Sequence, residues 1–177
     1  TKAIYIPEII AFDQNFLILE FVSPANPDDN FWGEFGRDLA NLHLCQTKQF
    51  GLDYDNYIGS LKQFNTKKEN WIDFFVQNRL LAQLKNGNFS SSIKKDFEKL
   101  FEKLPDLIPQ EKPSLIHGDL WSGNFLVKEH SLPVLIDPAI YFGNREMDIA
   151  MSKLFGGFHT DFYTSYNEVF PLEKGWE

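Results

Sequence analysis

Apolar residues recur along this chain with two periods, and each period predicts a type of element. Phe31, Phe35, Leu39 and Leu42 follow one another at helical spacing behind the N-cap candidates Asp29 and Asn30. From about Lys68 to Lys85 the apolar positions include Trp71, Phe74, Phe75, Leu80, Leu81 and Leu84 and cover much of the helix circumference. That pattern suits a helix buried on more than one side, ended by Asn86-Gly87. Ile93, Phe97, Leu100, Phe101 and Leu104 form a one-face stripe, capped by the serines at 90–92 and stopped by Pro105. Two further helices are expected, from about Glu146 to Phe155 and from Asp161 to Phe170.

Short apolar runs mark the strands. Ile4-Tyr5-Ile6 and Phe16–Val22 lie on either side of the polar turn Asp13-Gln14-Asn15 and are expected to pair as a hairpin. Ser23–Asp29, with Pro24 and Pro27, reads as a linker. Leu115-Ile116, Phe125–Val127 and Val134–Ile136 are brief strands, the last two forming a hairpin around Glu129–Pro133. Polar residues with chemical capacity crowd around these strands, in loops on a mainly helical scaffold.

Composition narrows the function classes. With 177 residues, 43% apolar and 16% aromatic, the chain can build one domain with a real core, which excludes a disordered tail. The net charge of -8, from 17 Lys plus Arg against 25 Asp plus Glu, argues against a broad nucleic-acid surface. It leaves room for a single nucleotide whose charge a metal ion meets. Cys45 is the only cysteine, so an intrachain disulfide and a multi-cysteine zinc site are both excluded, and the chain reads as cytoplasmic. No membrane span is expected, because Glu20 ends the apolar run Phe16–Leu19. Pro7 and Glu8 likewise interrupt any secretory leader.

The segment Leu115-Ile116-His117-Gly118-Asp119-Leu120-Trp121-Ser122-Gly123-Asn124, followed by Ile136-Asp137-Pro138, carries the candidate chemistry. A strand leads into a tight loop with Asp119 and Asn124 five positions apart, and a hairpin returns to Asp137. Phosphoryl transfer calls for such a set: a carboxylate to orient or accept the proton of the attacking hydroxyl, and oxygen ligands for Mg²⁺. Kinase catalytic loops use this same Asp–Asn spacing, with a metal-binding Asp on the next hairpin. Asp119 is therefore assigned as the base, with Asn124 and Asp137 as Mg²⁺ ligands. Each residue taken singly would more simply be a turn former or a helix cap. His117 is read as holding the loop backbone through a hydrogen bond. Trp121 either lines a substrate pocket or packs. A metal hydrolase built on His117, Asp119 and Asp137 is a weaker alternative, because few further ligands can be placed. His43 reads as capping or packing at a helix end.

The octapeptide His117–Asn124 resembles the catalytic loop of the fructosamine (ketosamine) kinases, relatives of aminoglycoside phosphotransferases with a protein-kinase-like fold. Trp32-Gly33-Glu34-Phe35-Gly36 with Leu39-Ala40 and Leu42-His43, then Asn56-Tyr57-Ile58-Gly59-Ser60, Trp71–Leu81 and Asn144–Met151, are similar to further segments of that family. The resemblance implies ATP-dependent, Mg²⁺-assisted phosphorylation of a sugar hydroxyl on a ketosamine or glycated amine. An aminoglycoside- or choline-type acceptor is the neighbouring possibility, and a non-catalytic nucleotide- or partner-binding module the more distant one. It places Glu20, Phe21 and Val22 at an interlobe hinge that meets adenine, and it makes Asp148 an anchor of the catalytic loop. Without it, Asp148 could equally be a solvated helix residue.

The expected fold class is α+β: a mainly helical large lobe with short β-hairpins, in which residues 1–22 supply the last strands of a small lobe and the hinge. Residues 23–177 would form the large catalytic lobe. No glycine precedes Gly33, and Lys2 lies too near Glu20 to be a strand lysine clamping phosphates. The small lobe is therefore expected to be almost entirely absent, further C-terminal helices are expected to be missing, and this chain alone is expected to transfer phosphate poorly.

Overall fold

The computed structural model describes residues 4–174 and Trp176; Lys2 and its neighbours in the segment 1–22 lie outside the described residues. Helix α1 (Phe31–His43) is the centre of the larger core. Its predicted stripe faces inward, with Phe31, Phe35 and Leu39 completely buried. It starts behind Asn30, one of the two expected N-cap candidates. Asn30 occupies the N-cap without a capping side-chain bond, and Asp28 instead accepts from the Asn30 N–H at 2.9 Å. Helix α1 packs on α6 (Thr160–Val169) through Phe162 and Tyr166. Phe31, Phe35, Phe125, Phe158 and Phe162 form one aromatic cluster with ring centroids 5.0–5.9 Å apart. Such offset and edge-on pairs add stabilisation beyond their burial.

The second predicted helix forms as an unbroken helical run in three parts: α2 (Trp71–Phe75), a π-helical turn (Val76–Leu80) and α3 (Leu81–Asn86). Asn70 begins it by accepting from the Ile72 and Asp73 N–H groups. Trp71 and Phe74 close a second, smaller core with Phe50, Ile116 and Tyr141. Helix α4 (Ser91–Leu107) is capped by Ser90 as expected, but it runs on through Pro105. In the last turn a proline forfeits only one intrahelical bond, and the Ile108 N–H still reaches the Leu104 carbonyl at 3.0 Å. Its apolar stripe is fully buried only at Leu104.

Each sheet is a two-stranded antiparallel hairpin or pair. The first corrects the expected pairing: β1 (Ile9–Phe12), not Ile4–Ile6, pairs with β2 (Leu17–Leu19). Asp13 Oδ1 accepts from the Asn15 and Phe16 N–H groups, and this turn recruits the strand directly before it. Tyr5 instead bridges to Val134. Strands β3 (Asn56–Ile58) and β4 (Leu61–Gln63) form a hairpin that the polar sequence there does not announce. Strand β5 (Ser114–Ile116) pairs with β8 (Tyr141–Gly143), and β6 (Phe125–Lys128) with β7 (Leu132–Leu135). Strand β7 takes in Pro133, which lay within the expected turn, because His130 and Ser131 make the reversal in the left-handed region (φ 63° and 59°). Helix α5 (Glu146–Leu154) follows β8. No described helix is long and apolar enough to cross a membrane.

Candidate active site

The register of the β6–β7 hairpin brings two candidate residues together. Phe125 faces Leu135, and at the open end the Ile136 N–H donates to the Asn124 carbonyl at 3.1 Å. Asp137 therefore emerges beside Asn124, although they lie thirteen positions apart in sequence. Asp137 has φ 50°, a left-handed conformation uncommon outside glycine, and such strain concentrates at functional sites.

The β5–α5 side supplies Asp119. After β5 the chain turns at Gly118, with φ +82°, where a Cβ would overlap the Ala139 carbonyl oxygen. His117, almost wholly buried, ties the loop to the returning hairpin. Its Nε2–H donates to the Ile136 carbonyl at 2.9 Å, so Nδ1 is the acceptor for the Asp119 N–H at 3.2 Å. The Ala139 N–H donates to the His117 carbonyl at 2.9 Å. Both ring nitrogens are thus engaged within the protein, which leaves His117 unsuited to the metal-hydrolase reading. Among the described residues no group of three or more His, Cys, Asp and Glu side chains is arranged to hold a metal.

Asn124 completes the triad. Its Nδ2 donates to both the Asp119 carbonyl (2.8 Å) and Asp119 Oδ2 (2.9 Å). The amide nitrogen is therefore spent on Asp119, and Asn124 Oδ1 is the atom that could hold a metal. Asp119, Asn124 and Asp137 line one cleft of about 390 Å³ with Tyr57, Ile58, Gly59, Trp121, Pro138 and Ala139. The sequence assigned Trp121 either to a pocket or to packing, and it does both. It lines the cleft, stacks edge-on against Phe155 at 5.5 Å, and lies where a side chain on Gly123 would collide with its ring. Oxygen donors from an amide and a carboxylate suit Mg²⁺, which usually takes one or two protein ligands and completes its shell with waters and phosphates.

Asp148 lies behind the loop with no solvent exposure. Its Oδ2 accepts from the His117 N–H (2.7 Å) and from His43 Nε2 (3.1 Å), and its Oδ1 from the Gly118 N–H (2.9 Å). Burial alone would raise this carboxyl's pKa. The bond and charge of His43, with the Gly118 N–H, outweigh burial and hold it below the ordinary carboxylate value. His43 Nδ1 in turn meets the Tyr166 hydroxyl at 2.7 Å. From sequence His43 reads as capping or packing at a helix end, and Tyr166 carries no signal of its own. The available signal was a histidine on the buried stripe of α1, where an unpaired imidazole would be costly.

The hinge candidates lie at the far end of the same hairpin. Glu20 accepts from the Tyr5 hydroxyl (2.7 Å) and from Lys128 Nζ (2.9 Å), and the Ala25 N–H donates to the Val127 carbonyl. Val22 is buried and Phe21 is 83% exposed. The β6–β7 hairpin thus connects this segment to Asn124 and Asp137, but Glu20, Phe21 and Val22 do not line the cleft.

The sequence matches the fructosamine kinase family over residues 1–177. A probable ketoamine kinase of Enterococcus faecium is 39% identical over 168 residues, 92% of this chain and 60% of that protein. The chloroplastic protein-ribulosamine 3-kinase of Arabidopsis thaliana is 37% identical, covering 92% of this chain and 52% of that protein. A solved structure from Haemophilus somnus, a candidate fructosamine-3-kinase, superposes with a TM-score of 0.87 at 34% identity, over 98% of this chain and 61% of the other. The gentamicin complex of the aminoglycoside phosphotransferase APH(2")-IIa, at 16% identity and a TM-score of 0.58, shares the fold. The chain spans 60–64% of the length of the first three curated relatives it matches. Its kinase-like fold, its catalytic-loop sequence and the match along its whole length agree: the chain belongs to the fructosamine kinase family.

Proposed function

We propose that the protein is a small-molecule kinase that transfers the γ-phosphoryl group of ATP to a sugar hydroxyl of a ketoamine or glycated amine. The observation that carries this reading is the shared cleft in which Asp119, Asn124 and Asp137 meet. Asn124 Nδ2 occupies Asp119 Oδ2, which leaves Oδ1 without a protein donor among the described residues and available to the acceptor hydroxyl. Asp119 orients that hydroxyl and takes its proton as the new O–P bond forms. Asn124 Oδ1 and Asp137 hold Mg²⁺, which when bound neutralises charge on the transferring group. Trp121 offers an apolar face to the sugar. Backbone groups of Glu20, Phe21 and Val22 meet adenine, while His117 and Asp148 keep the loop in register. ATP as donor and a lone cysteine suit a cytoplasmic protein.

The test is a phosphate-transfer assay on the full-length gene product, with fructosyl-lysine, a ribulosamine, an aminoglycoside and choline as acceptors. Ketoamine turnover that depends on Mg²⁺ is expected, and Asp119→Asn should lower kcat by about 10²–10⁴-fold, the usual contribution of a positioned base. Turnover of the aminoglycoside alone would overturn the acceptor assignment. An Asp119→Asn protein as active as wild type would overturn the mechanism.

A further inference from the structure

The β3–β4 hairpin supplies one wall of the cleft through Tyr57, Ile58 and Gly59, yet Tyr57 is 64% exposed and the hairpin is only two strands wide. Two-stranded hairpins are marginal by themselves, so something must hold this wall against the catalytic side. The hydrogen bonds around it form a directed relay of amides. Asn56 Nδ2 donates to the Ile140 carbonyl at 2.9 Å, and Gln63 Nε2 donates to the Ala139 carbonyl at 3.0 Å and to Asn56 Oδ1 at 2.9 Å. Asn65 Nδ2 donates to Asn56 Oδ1 at 2.8 Å and to the Tyr54 carbonyl at 3.1 Å. Asn65 and Gln63 are buried, so a flipped amide would leave groups unpaired.

The backbone carbonyls of Ile140, Ala139 and Tyr54 can only accept, so they fix the direction of this relay, and one charged donor closes its Asn65 end. Arg79 Nη2 donates to Asn65 Oδ1 at 2.8 Å, and its Nη1 donates to the Phe64 carbonyl. The Nη2 bond pairs the oxygen of a buried amide, and among the described residues Arg79 is its donor. Arg79 lies in the π-helical turn, and its guanidinium lies against the rings of Phe74 (4.6 Å) and Tyr141 (4.1 Å). Stacking of this sort fixes the plane of the fork as a lysine could not. The neighbouring Asn78 adds a bond to the Thr66 carbonyl at 2.8 Å. The π turn thus aims two consecutive side chains at the segment leaving the hairpin, and such turns recur at functional sites.

We propose that Arg79 is a positioning residue for acceptor recognition: it pins the Asn65 end of the Asn65–Asn56–Gln63 relay and so holds the Tyr57–Gly59 wall beside Asp119. The kinetic part of this inference rests on the kinase reading above, and the structural part does not. In the full-length protein, Arg79→Met should raise the acceptor KM about tenfold while leaving the KM for ATP as in wild type. Arg79→Lys should recover little of the loss. Asn65→Asp, which still accepts from Arg79 but has no amide donors, should give the same pattern, and combining it with Arg79→Met should add little. Amide hydrogen exchange supplies a readout free of activity: Asn56–Gln63 should exchange about tenfold faster in either variant, with Phe125–Lys128 unchanged. Equal increases in both KM values, or unchanged exchange across Asn56–Gln63, would overturn the proposal. Should wild type phosphorylate no ketoamine, the function reading fails, and exchange still decides whether Arg79 holds the wall.

Discussion

Two carboxylates in this chain each gather three donors, and they sit in opposite settings. Asp148 is fully buried and accepts from the His117 and Gly118 N–H groups and an imidazole. Glu20, with its side chain 28% exposed, accepts from Tyr5, Lys128 and the Glu8 N–H. Both are held in the ionised form by their partners. The donors around Asp148 have no water to turn to, so its loss leaves them orphaned, whereas those around Glu20 exchange one partner for solvent. Equal numbers of donors therefore predict unequal consequences: the loop carrying Asp119 is fixed from the interior, the segment around Glu20 from near the surface.

The largest effect is expected at Asp148. Asp148→Asn turns an amide group toward N–H donors and removes the charge facing His43. A loss of about 3–5 kcal/mol is the usual outcome of breaking a buried pair from one side. Denaturant unfolding would measure it, and kinase turnover should fall to background because His117 and Gly118 no longer place Asp119. An unfolding midpoint equal to that of wild type would break the contrast with Glu20 altogether.

Tyr166→Phe sharpens the contrast from one step further back. The hydroxyl meets His43 Nδ1 at 2.7 Å in a fully buried site, so the imidazole loses a partner while the loop keeps its carboxylate. A loss of about 1–2 kcal/mol follows from one unmade buried hydrogen bond. A smaller fall in kcat than in Asp148→Asn, with KM values unchanged, would show that the chain of contacts weakens with distance from Asp119. A loss as large as that of Asp148→Asn would mean that Tyr166, not the carboxylate, anchors the loop.

Much of this arrangement is legible in sequence where local rules decide it. The stripe of α1, the Ser90 cap and the spacing of Asp119, Asn124 and Asp137 each follow from residues close to one another along the chain. Other features depend on distant partners. Strand β8 exists because Ser114–Ile116 offers it an edge, and Tyr141-Phe142-Gly143 has no strand signature strong enough to show that alone. The first hairpin was mispaired because Asp13 closes its turn with a side-chain bond that periodicity does not report. His43 and Tyr166 lie 123 positions apart, and only the packing of α1 on α6 joins them.

The smallest effect is expected at Glu20, and pH reveals it better than a single measurement. The bond from Lys128 first, then those from Tyr5 and the Glu8 N–H, hold the Glu20 carboxyl at about 2 in the folded chain, against an ordinary value of 4.5. Between those values the unfolded chain binds the proton that the folded chain refuses, so stability rises with pH across that window. The contribution is complete above about pH 4.5 and is lost as pH falls toward about 2. Glu20→Gln should therefore unfold at a lower temperature than wild type near neutral pH, and the two thermal midpoints should converge as pH drops through the window. The gap should also shrink at high salt, because a partly exposed pair is screened. Asp148 shares the direction of the pH dependence without the salt sensitivity. Parallel midpoint curves for wild type and Glu20→Gln across the whole range would show that Tyr5 and Lys128 do no more than lie near the carboxylate.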